Sequence, residues 1–97
     1  MSDIVSENKP ILVVEELDTF SNTFAPKVIL FNDNIHTFDD VISQLIKAIG
    51  CSSERAEAYA WEVHTKGKAC VFVGEIEKCL KVSAILEEIG LHTQIES

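Results

Sequence analysis

A junction between a short apolar strand and a helix constrains the fold of this 97-residue chain more than any other feature. The apolar run Val28–Phe31 stops at the Asn-Asp-Asn sequence of residues 32–34. Asn and Asp favour turns because they bond to nearby backbone and tolerate unusual dihedrals. Thr37 then begins a helix, and Asp40 stands where it completes a variant capping box. The junction therefore places several acceptor oxygens at a strand end, where ligands are often bound.

The remaining apolar patterns predict two further helices and two further strands. In chain order the predicted elements are a strand at 27–31, a helix from Thr37 to Gly50, a helix from Ser52 to about Thr65, a strand at 69–73, a helix at 75–89 and a strand at 91–95. This β-α-α-β-α-β order favours an α+β fold, with three helices packed on one face of a small three-stranded antiparallel sheet.

Burial within these elements is predicted from their apolar residues. Residues 69–73 are continuously apolar, so we expect this strand to be central and covered. Trp61 lies off the inward face of the second helix and is expected to be partly exposed. That inward face is mostly small and consists of Ala56, Tyr59, Ala60 and Val63. Helical spacing in the third helix predicts an inward face of Ile76, Cys79, Leu80, Ser83, Leu86 and Ile89.

Charge and length argue against several classes of function. The chain carries 16 acidic and 8 basic residues, a net charge of −8, so it lacks the clustered Lys and Arg that nucleic acids and anionic membranes require. A chain of this length has little room for a deep substrate cavity, which disfavours an enzyme. We therefore expect no catalytic residue, no cofactor and no metal. A cationic partner, such as a protonated amine, suits the charge.

The N-terminal segment and the cysteines bear on domain organisation and location. Residues 1–25 carry acids, Ser, Thr and Asn around the apolar patch Ile11–Val14. They predict a flexible tail, or alternatively a short adhesive one, before a folded domain at 26–97. No signal peptide and no apolar run of about 18 residues is recognisable. Three cysteines without a CxxC pair favour reduced thiols, and hence the cytoplasm.

A candidate binding site follows if the second helix folds back beside the first. His64, near the end of the second helix, would then face the 32–34 loop. A protonated α-amino group offers three donors. An Asn oxygen, a second amide or carboxylate oxygen from the loop and a neutral imidazole nitrogen of His64 would satisfy them without any covalent step. The residues placed to form apolar walls are Ile35, Phe38, Val41, Val63 and Leu91.

Simpler interpretations of the same residues stay open at this point. Residues 32–34 could serve only as a turn, and His64 could face solvent near the negative end of its helix. His36, next to the helix cap, is expected to be a surface residue. A zinc site formed by His36, His64 and a cysteine lacks the usual ligand spacing.

The chain resembles the ATP-dependent Clp protease adaptor family ClpS. The matching pieces are Asn32-Asp33, Phe38, Val41, Val63-His64 and Gly67-Lys68-Ala69, and the resemblance runs from about Lys27 to Ile95. It implies a non-enzymatic adaptor that binds the exposed N-terminus of a protein with a large apolar first residue. The adaptor then delivers that protein to a hexameric AAA+ unfoldase of the ClpA or ClpC type.

Site residues are carried over from the family by position. The resemblance implies that Asn32, Asn34 and His64 bind the α-amine, while Asp33 shapes the loop and supplies negative field. The pocket for the first side chain would be lined by Ile35, Phe38, Val41, Ala60, Val63 and Leu91.

Two positions depart from the family pattern and leave an alternative open. Asn34 replaces a second acid, which removes one charge near the amine, and Phe38 replaces a flexible methionine with a stiff ring. We expect a shifted preference among large apolar N-termini. The alternative is a docking module that binds its partner through the third helix without recognising an amine. A small hydrolase is the least favoured class, because no cysteine is placed beside His64.

Overall fold

A computed structural model describes residues 25–97 of the chain. The predicted tail, including Ile11–Val14, therefore lies outside the described residues except for Ala25. The six elements are β1 (Lys27–Phe31), α1 (Phe38–Ile49), α2 (Ser53–Lys66), β2 (Lys68–Val73), α3 (Ile76–Glu87) and β3 (His92–Glu96). The predicted β-α-α-β-α-β order and the α+β class are confirmed.

The three strands form one antiparallel sheet in the order β2-β1-β3. The strand β1 is central, and its last residue, Phe31, pairs with Lys68 on one side and His92 on the other. The prediction that residues 69–73 form a covered central strand is wrong, because β2 is an edge strand with Cys70 exposed. Ala69 and Val71 are buried in the core, whereas the residues between and beside them are more exposed. A continuous apolar run therefore does not show that both faces of a strand are buried.

The helices form a layer over one face of the sheet. Both α2 and α3 contact strands directly, whereas α1 packs mainly across these two helices. The small inward face predicted for α2 is confirmed, since Ala56, Ala60 and Val63 are buried. Small side chains let two helices approach closely, which brings the ends of α1 and α2 together. The core lies between the sheet and the helices, and its largest fully buried side chains are Leu30, Leu45, Leu86, Val28 and Cys79.

The orientation of α3 differs from the prediction. Cys79 and Leu86 are buried as predicted, and Val82, which was not predicted to face inward, is buried with them. Three residues predicted to face inward are exposed instead: Ile76 by 48%, Leu80 by 56% and Ile89 by 38%. The helix has apolar residues on most of its circumference, so spacing alone did not fix its rotation. It ends at Glu87 rather than at residue 89, and a turn containing the left-handed Gly90 leads into β3.

Local signals define the ends of α1 and α2. The predicted capping box is confirmed, since Asp40 N–H donates to the Thr37 hydroxyl and Thr37 N–H donates to the Asp40 carboxylate, each at 3.1 Å. Gly50 and Gly67 end the two helices with positive φ, where a side chain would be strained. None of the helices within residues 25–97 has the length and apolar character needed to cross a membrane.

Candidate functional site

The polar loop after β1 lies against the C-terminal end of α2. Asn32 N–H donates to the carbonyl of Gly67 at 2.9 Å, and Gly67 N–H closes α2 by donating to Val63 at 2.8 Å. The end of one helix is thereby attached to the end of the central strand. His64, one turn before Gly67, is carried to the edge of the loop as a result.

A cavity of about 340 Å³ opens between the loop, α1 and α2. This volume lies at the lower end of the range for small-ligand sites. Of the residues predicted for the site, those that line the cavity are Asn32, Asp33, Asn34, Phe38, Val41, Ala60, Val63, His64 and Leu91. Further lining residues are Leu30, Phe31, His36 and Thr37.

The cavity has an apolar floor and a polar rim. Ala60, Val63 and Leu91 are each more than nine-tenths buried and contribute only apolar side-chain surface. Asn32, Asn34 and His64 are exposed and carry acceptor atoms. Such a cavity can hold an apolar group inside while a polar group of the same ligand bonds at the entrance.

Ile35, predicted as a pocket wall, does not line this cavity. Its side chain is 83% exposed, because the loop turns back on itself at Asp33. The Asp33 carboxylate accepts hydrogen bonds from the backbone N–H groups of Ile35 and His36, both at 3.0 Å. This turn directs the Ile35 side chain away from the cavity, and the placement expected from sequence is corrected accordingly.

Asp33 is also bonded to the ring of His36. The second carboxylate oxygen, Oδ2, lies 2.7 Å from His36 Nδ1. Burial acts to raise the pKa of Asp33, but the hydrogen bonds from the backbone and ring of His36 and from Ile35 together hold it below its usual value. The carboxylate is therefore ionised near neutral pH, and its two oxygens organise the loop.

His36 is the residue that sequence reasoning placed least well. The prediction of a surface residue is wrong, because its side chain is only 11% exposed and lines the cavity. The ring also reaches across to the α3–β3 turn, where Nε2 lies 2.5 Å from the carbonyl of Ile89. The sequence could have indicated the contact between His36 and Asp33, which lies three residues before it in a turn. It could not have indicated the second partner of the ring, Ile89, which is 53 positions away.

Phe38 and His64, which line the cavity, form an aromatic cluster with Trp61. The ring centroid of Phe38 lies 4.9 Å from that of Trp61 and 6.0 Å from that of His64, and both pairs meet edge to face. Trp61 and His64 are also 6.0 Å apart. Trp61 is 52% exposed, as its place off the inward face of α2 predicted. Such contacts restrict the orientation of the His64 imidazole.

The described residues offer no arrangement of three or more His, Cys, Asp or Glu side chains that could hold a metal ion. Both ring nitrogens of His36 already lie within bonding distance of oxygen atoms. The cysteines at 51, 70 and 79 are unbridged. The side chains that line the cavity offer hydrogen bonding and apolar contact.

The fold and the cavity define a small α+β binding domain, and comparison with known proteins identifies the family. The profile of "ATP-dependent Clp protease adaptor protein ClpS" matches residues 23–94. The chain therefore belongs to the ClpS family. The fold is also similar to the solved structure of Agrobacterium tumefaciens ClpS2 bound to L-phenylalaninamide, with a TM-score of 0.69 at 22% identity over 73% of this chain and 93% of that one.

Curated relatives include much longer proteins. The chain is 29% identical over 84 residues to the E3 ubiquitin-protein ligase UBR2 of Mus musculus, which corresponds to 87% of this chain and 5% of the ligase. The human UBR2 ligase is 31% identical over 74 residues, which is 76% of this chain and 4% of the ligase. The chain thus spans only a small fraction of the length of these relatives.

Proposed function

We propose that the folded domain, assigned to residues 26–97, binds the free N-terminus of a polypeptide, with the α-ammonium at the rim of the cavity and the first side chain on its floor. The observation that carries this proposal is the arrangement of exposed acceptors around a buried apolar floor in a single cavity. Membership of an adaptor family supports a role in recognition rather than catalysis.

The ammonium is assigned to three acceptors. The amide oxygens of Asn32 and Asn34 and a neutral nitrogen of His64 match its three N–H donors. Charge-assisted hydrogen bonds of this kind contribute roughly 1.5–3 kcal/mol each, and the ionised Asp33 adds a favourable field. Because both oxygens of Asp33 already accept bonds within the loop, its role toward the amine is electrostatic.

The first side chain of the peptide is assigned to the apolar part of the cavity, lined by Phe38, Val41, Ala60, Val63 and Leu91. L-phenylalaninamide, the ligand of the similar Agrobacterium structure, has a free α-amine and an aromatic side chain but no free carboxylate. It is therefore a chemical match for an N-terminal Phe. Large apolar first residues, namely Leu, Phe, Tyr and Trp, are the proposed ligands here.

Delivery to a protease completes the proposed function. The family name supports a hexameric Clp AAA+ unfoldase of the ClpA or ClpC type as the receiving partner. We also propose a cytoplasmic location, which the three unbridged cysteines support. Neither nucleic acid nor a membrane is a proposed partner, given the net charge of −8.

A second candidate is recognition within a ubiquitin-ligase system. The similarity of 87% of this chain to part of the mouse UBR2 ligase favours it. Both candidates use the same cavity and differ in what happens to the captured protein. Co-purification of the chain with a Clp unfoldase, or instead with ubiquitin-ligase subunits, distinguishes them.

Amine recognition is tested with paired peptides. A peptide that begins with free Phe and carries a C-terminal fluorophore is titrated by anisotropy beside its N-acetylated twin. Acetylation removes the charge and leaves the acceptors unpaired, so the twin should bind at least roughly a hundredfold more weakly. Equal affinity of the two peptides would rule out amine recognition and favour the docking module that uses α3.

The apolar pocket is tested by changing only the first residue of the free peptide. Leu, Phe, Tyr and Trp should bind more tightly than Val, Asp and Lys, since the floor is apolar and Phe38 presents a ring to it. Uniform affinity across the panel would contradict the pocket assignment while leaving amine recognition intact.

A further inference from the structure

His36 joins the two sides of the cavity through both of its ring nitrogens. Nδ1 lies 2.7 Å from Asp33 Oδ2 in the polar loop, and Nε2 lies 2.5 Å from the carbonyl oxygen of Ile89 in the α3–β3 turn. Gly90 lies against the ring, since a Cβ added there would be 3.7 Å from His36 Cε1. The next residue, Leu91, belongs to the cavity floor.

We propose that His36, as a doubly protonated imidazolium, is a positioning residue. It keeps the loop of residues 32–34 and the Leu91 side of the pocket in fixed positions relative to each other. The inference rests on the proposed function, because it assigns His36 a part in peptide affinity through other residues. His36 itself makes no contact with the peptide in this assignment.

The protonation state follows from the partners of the ring. Both are oxygen acceptors, so both nitrogens have to donate, and only the imidazolium carries two N–H groups. A neutral ring would keep one hydrogen bond and turn a nitrogen lone pair toward the other oxygen. Loss of the proton therefore releases either the loop or the turn.

The charges around the ring favour the imidazolium. Asp33 in the loop and Asp40 in the first turn of α1 both attract it, while the α3–β3 turn presents the Ile89 carbonyl. The hydrogen bond to Ile89, followed by that to Asp33, raises the pKa of His36 against an opposing effect of burial. His64, on the opposite rim, is the other titratable side chain that lines the cavity beside Asp33 and His36.

The part assigned to His36 predicts how affinity changes with pH. His36 positions the loop only when it is charged, so affinity is expected to fall as the pH increases and the ring loses its proton. The ligand amine also loses its proton on the alkaline side, so a direct affinity profile does not isolate His36.

The test is the ratio of the dissociation constants of His36→Gln and the unaltered chain for the free Phe peptide, measured from pH 5.5 to 8.5. Contributions from His64 and from the ligand amine are common to both proteins and cancel in the ratio. We expect a ratio of roughly ten at the acidic end, falling several-fold as His36 loses its proton. Lys78→Gln removes an exposed positive charge outside the cavity, and its ratio should stay near one throughout.

A ratio that does not change with pH would overturn the proposal, since a merely structural histidine weakens binding equally at all pH values. Failure of the unaltered chain to bind the peptide would overturn the proposed function, and with it the effect of His36 on affinity. The two failures are therefore distinguishable in one experiment.

A measurement on the unaltered chain decides whether His36 donates to both Asp33 and Ile89, even if His36→Gln folds poorly. Nitrogen-15 NMR of the imidazole should show both nitrogens of His36 protonated up to a higher pH than in a free histidine. The amides of Ile35 and His36 should shift with the same midpoint, because both donate to Asp33. A singly protonated ring at pH 6 would overturn the proposal.

Discussion

His64 is held in place by its aromatic neighbours and exposed at the rim. Its ring meets Phe38 and Trp61 edge to face, and both contacts are available to any aromatic ring of similar size. The nitrogen acceptor is what distinguishes histidine from phenylalanine at this position. Ring packing and amine recognition can therefore be separated by one substitution.

His64→Phe is predicted to weaken binding of a free Phe peptide roughly tenfold or more at pH 7.5, because one charge-assisted hydrogen bond is lost while the ring packing remains. Fluorescence anisotropy at that pH measures the dissociation constants of both proteins. His92→Phe, which keeps a ring beside Phe31, is the matched control and should change affinity by less than about twofold.

The N-cap of α1 belongs to the cavity lining, whereas the N-cap of α2 does not. Thr37 caps α1 and lines the cavity, whereas Ser52 caps α2 by accepting from Arg55 N–H at 3.1 Å and does not line it. Each hydroxyl satisfies a backbone donor that the helix leaves unpaired. The pair therefore separates cap stability from site geometry.

Thr37→Ala and Ser52→Ala are each predicted to lower the free energy of unfolding by about 1 kcal/mol, as loss of an N-cap usually does. Only Thr37→Ala should also weaken peptide binding, because it frees the start of α1 beside the loop. Urea unfolding and peptide titration of both variants provide the measurements. A similar loss of affinity in Ser52→Ala would show that binding merely follows stability.

The face that α3 buries determines how much each of its leucines contributes to the free energy of unfolding. Leu86 is fully buried, whereas Leu80, on the same helix, is 56% exposed. Removing a buried leucine side chain costs the transfer free energy and leaves a cavity, while removal at the surface costs little.

Leu86→Ala is predicted to lower the free energy of unfolding by about 2–5 kcal/mol, and Leu80→Ala by less than about 1 kcal/mol. Chemical unfolding followed by circular dichroism compares the two under the same conditions. Equal losses would mean that α3 turns its predicted face inward after all.

At the scale of the whole molecule, pH acts on stability through two ion pairs, one between α1 and the end of α3 and one within the loop after β1. Lys47 of α1 donates to Glu88 at the end of α3 at 2.9 Å, and this hydrogen bond lowers the pKa of Glu88. Asp33 also has a lowered pKa, while that of His36 is raised. The lowered pKa values of Asp33 and Glu88 add to the free energy of unfolding as the pH rises from acidic values. The raised pKa of His36 adds to it as the pH falls from alkaline values.

The free energy of unfolding is predicted to be highest at mildly acidic pH. The contribution of His36 is complete below its ordinary pKa of 6.5 and is lost as the pH rises through the higher folded value. The contributions of Asp33 and Glu88 are complete above 4.5 and are lost as the pH falls through their lower folded values. Urea midpoints between pH 3 and 9 measure the profile, and a maximum on the alkaline side would contradict it.

Much of the fold was predictable because its signals are local. Thr37 and Asp40 form their cap within one turn, and Gly67 ends α2 where only a residue tolerant of positive φ fits easily. Leu91 and Thr93, in the predicted strand at 91–95, are buried and alternate with the exposed polar residues His92 and Gln94, as the period of a strand requires. These features depend on residues a few positions apart, which any single sequence displays.

The sequence by itself determined the order of the elements, their helix caps and the loop that carries the acceptors. Only the tertiary structure decided that β2 lies at the edge, that α3 buries Leu86 rather than Leu80, and that Ile35 points away from the cavity. It also brought His36 to Ile89, across 53 positions of sequence. Such contacts depend on the packing of whole elements against one another, and no local pattern of side chains encodes that packing.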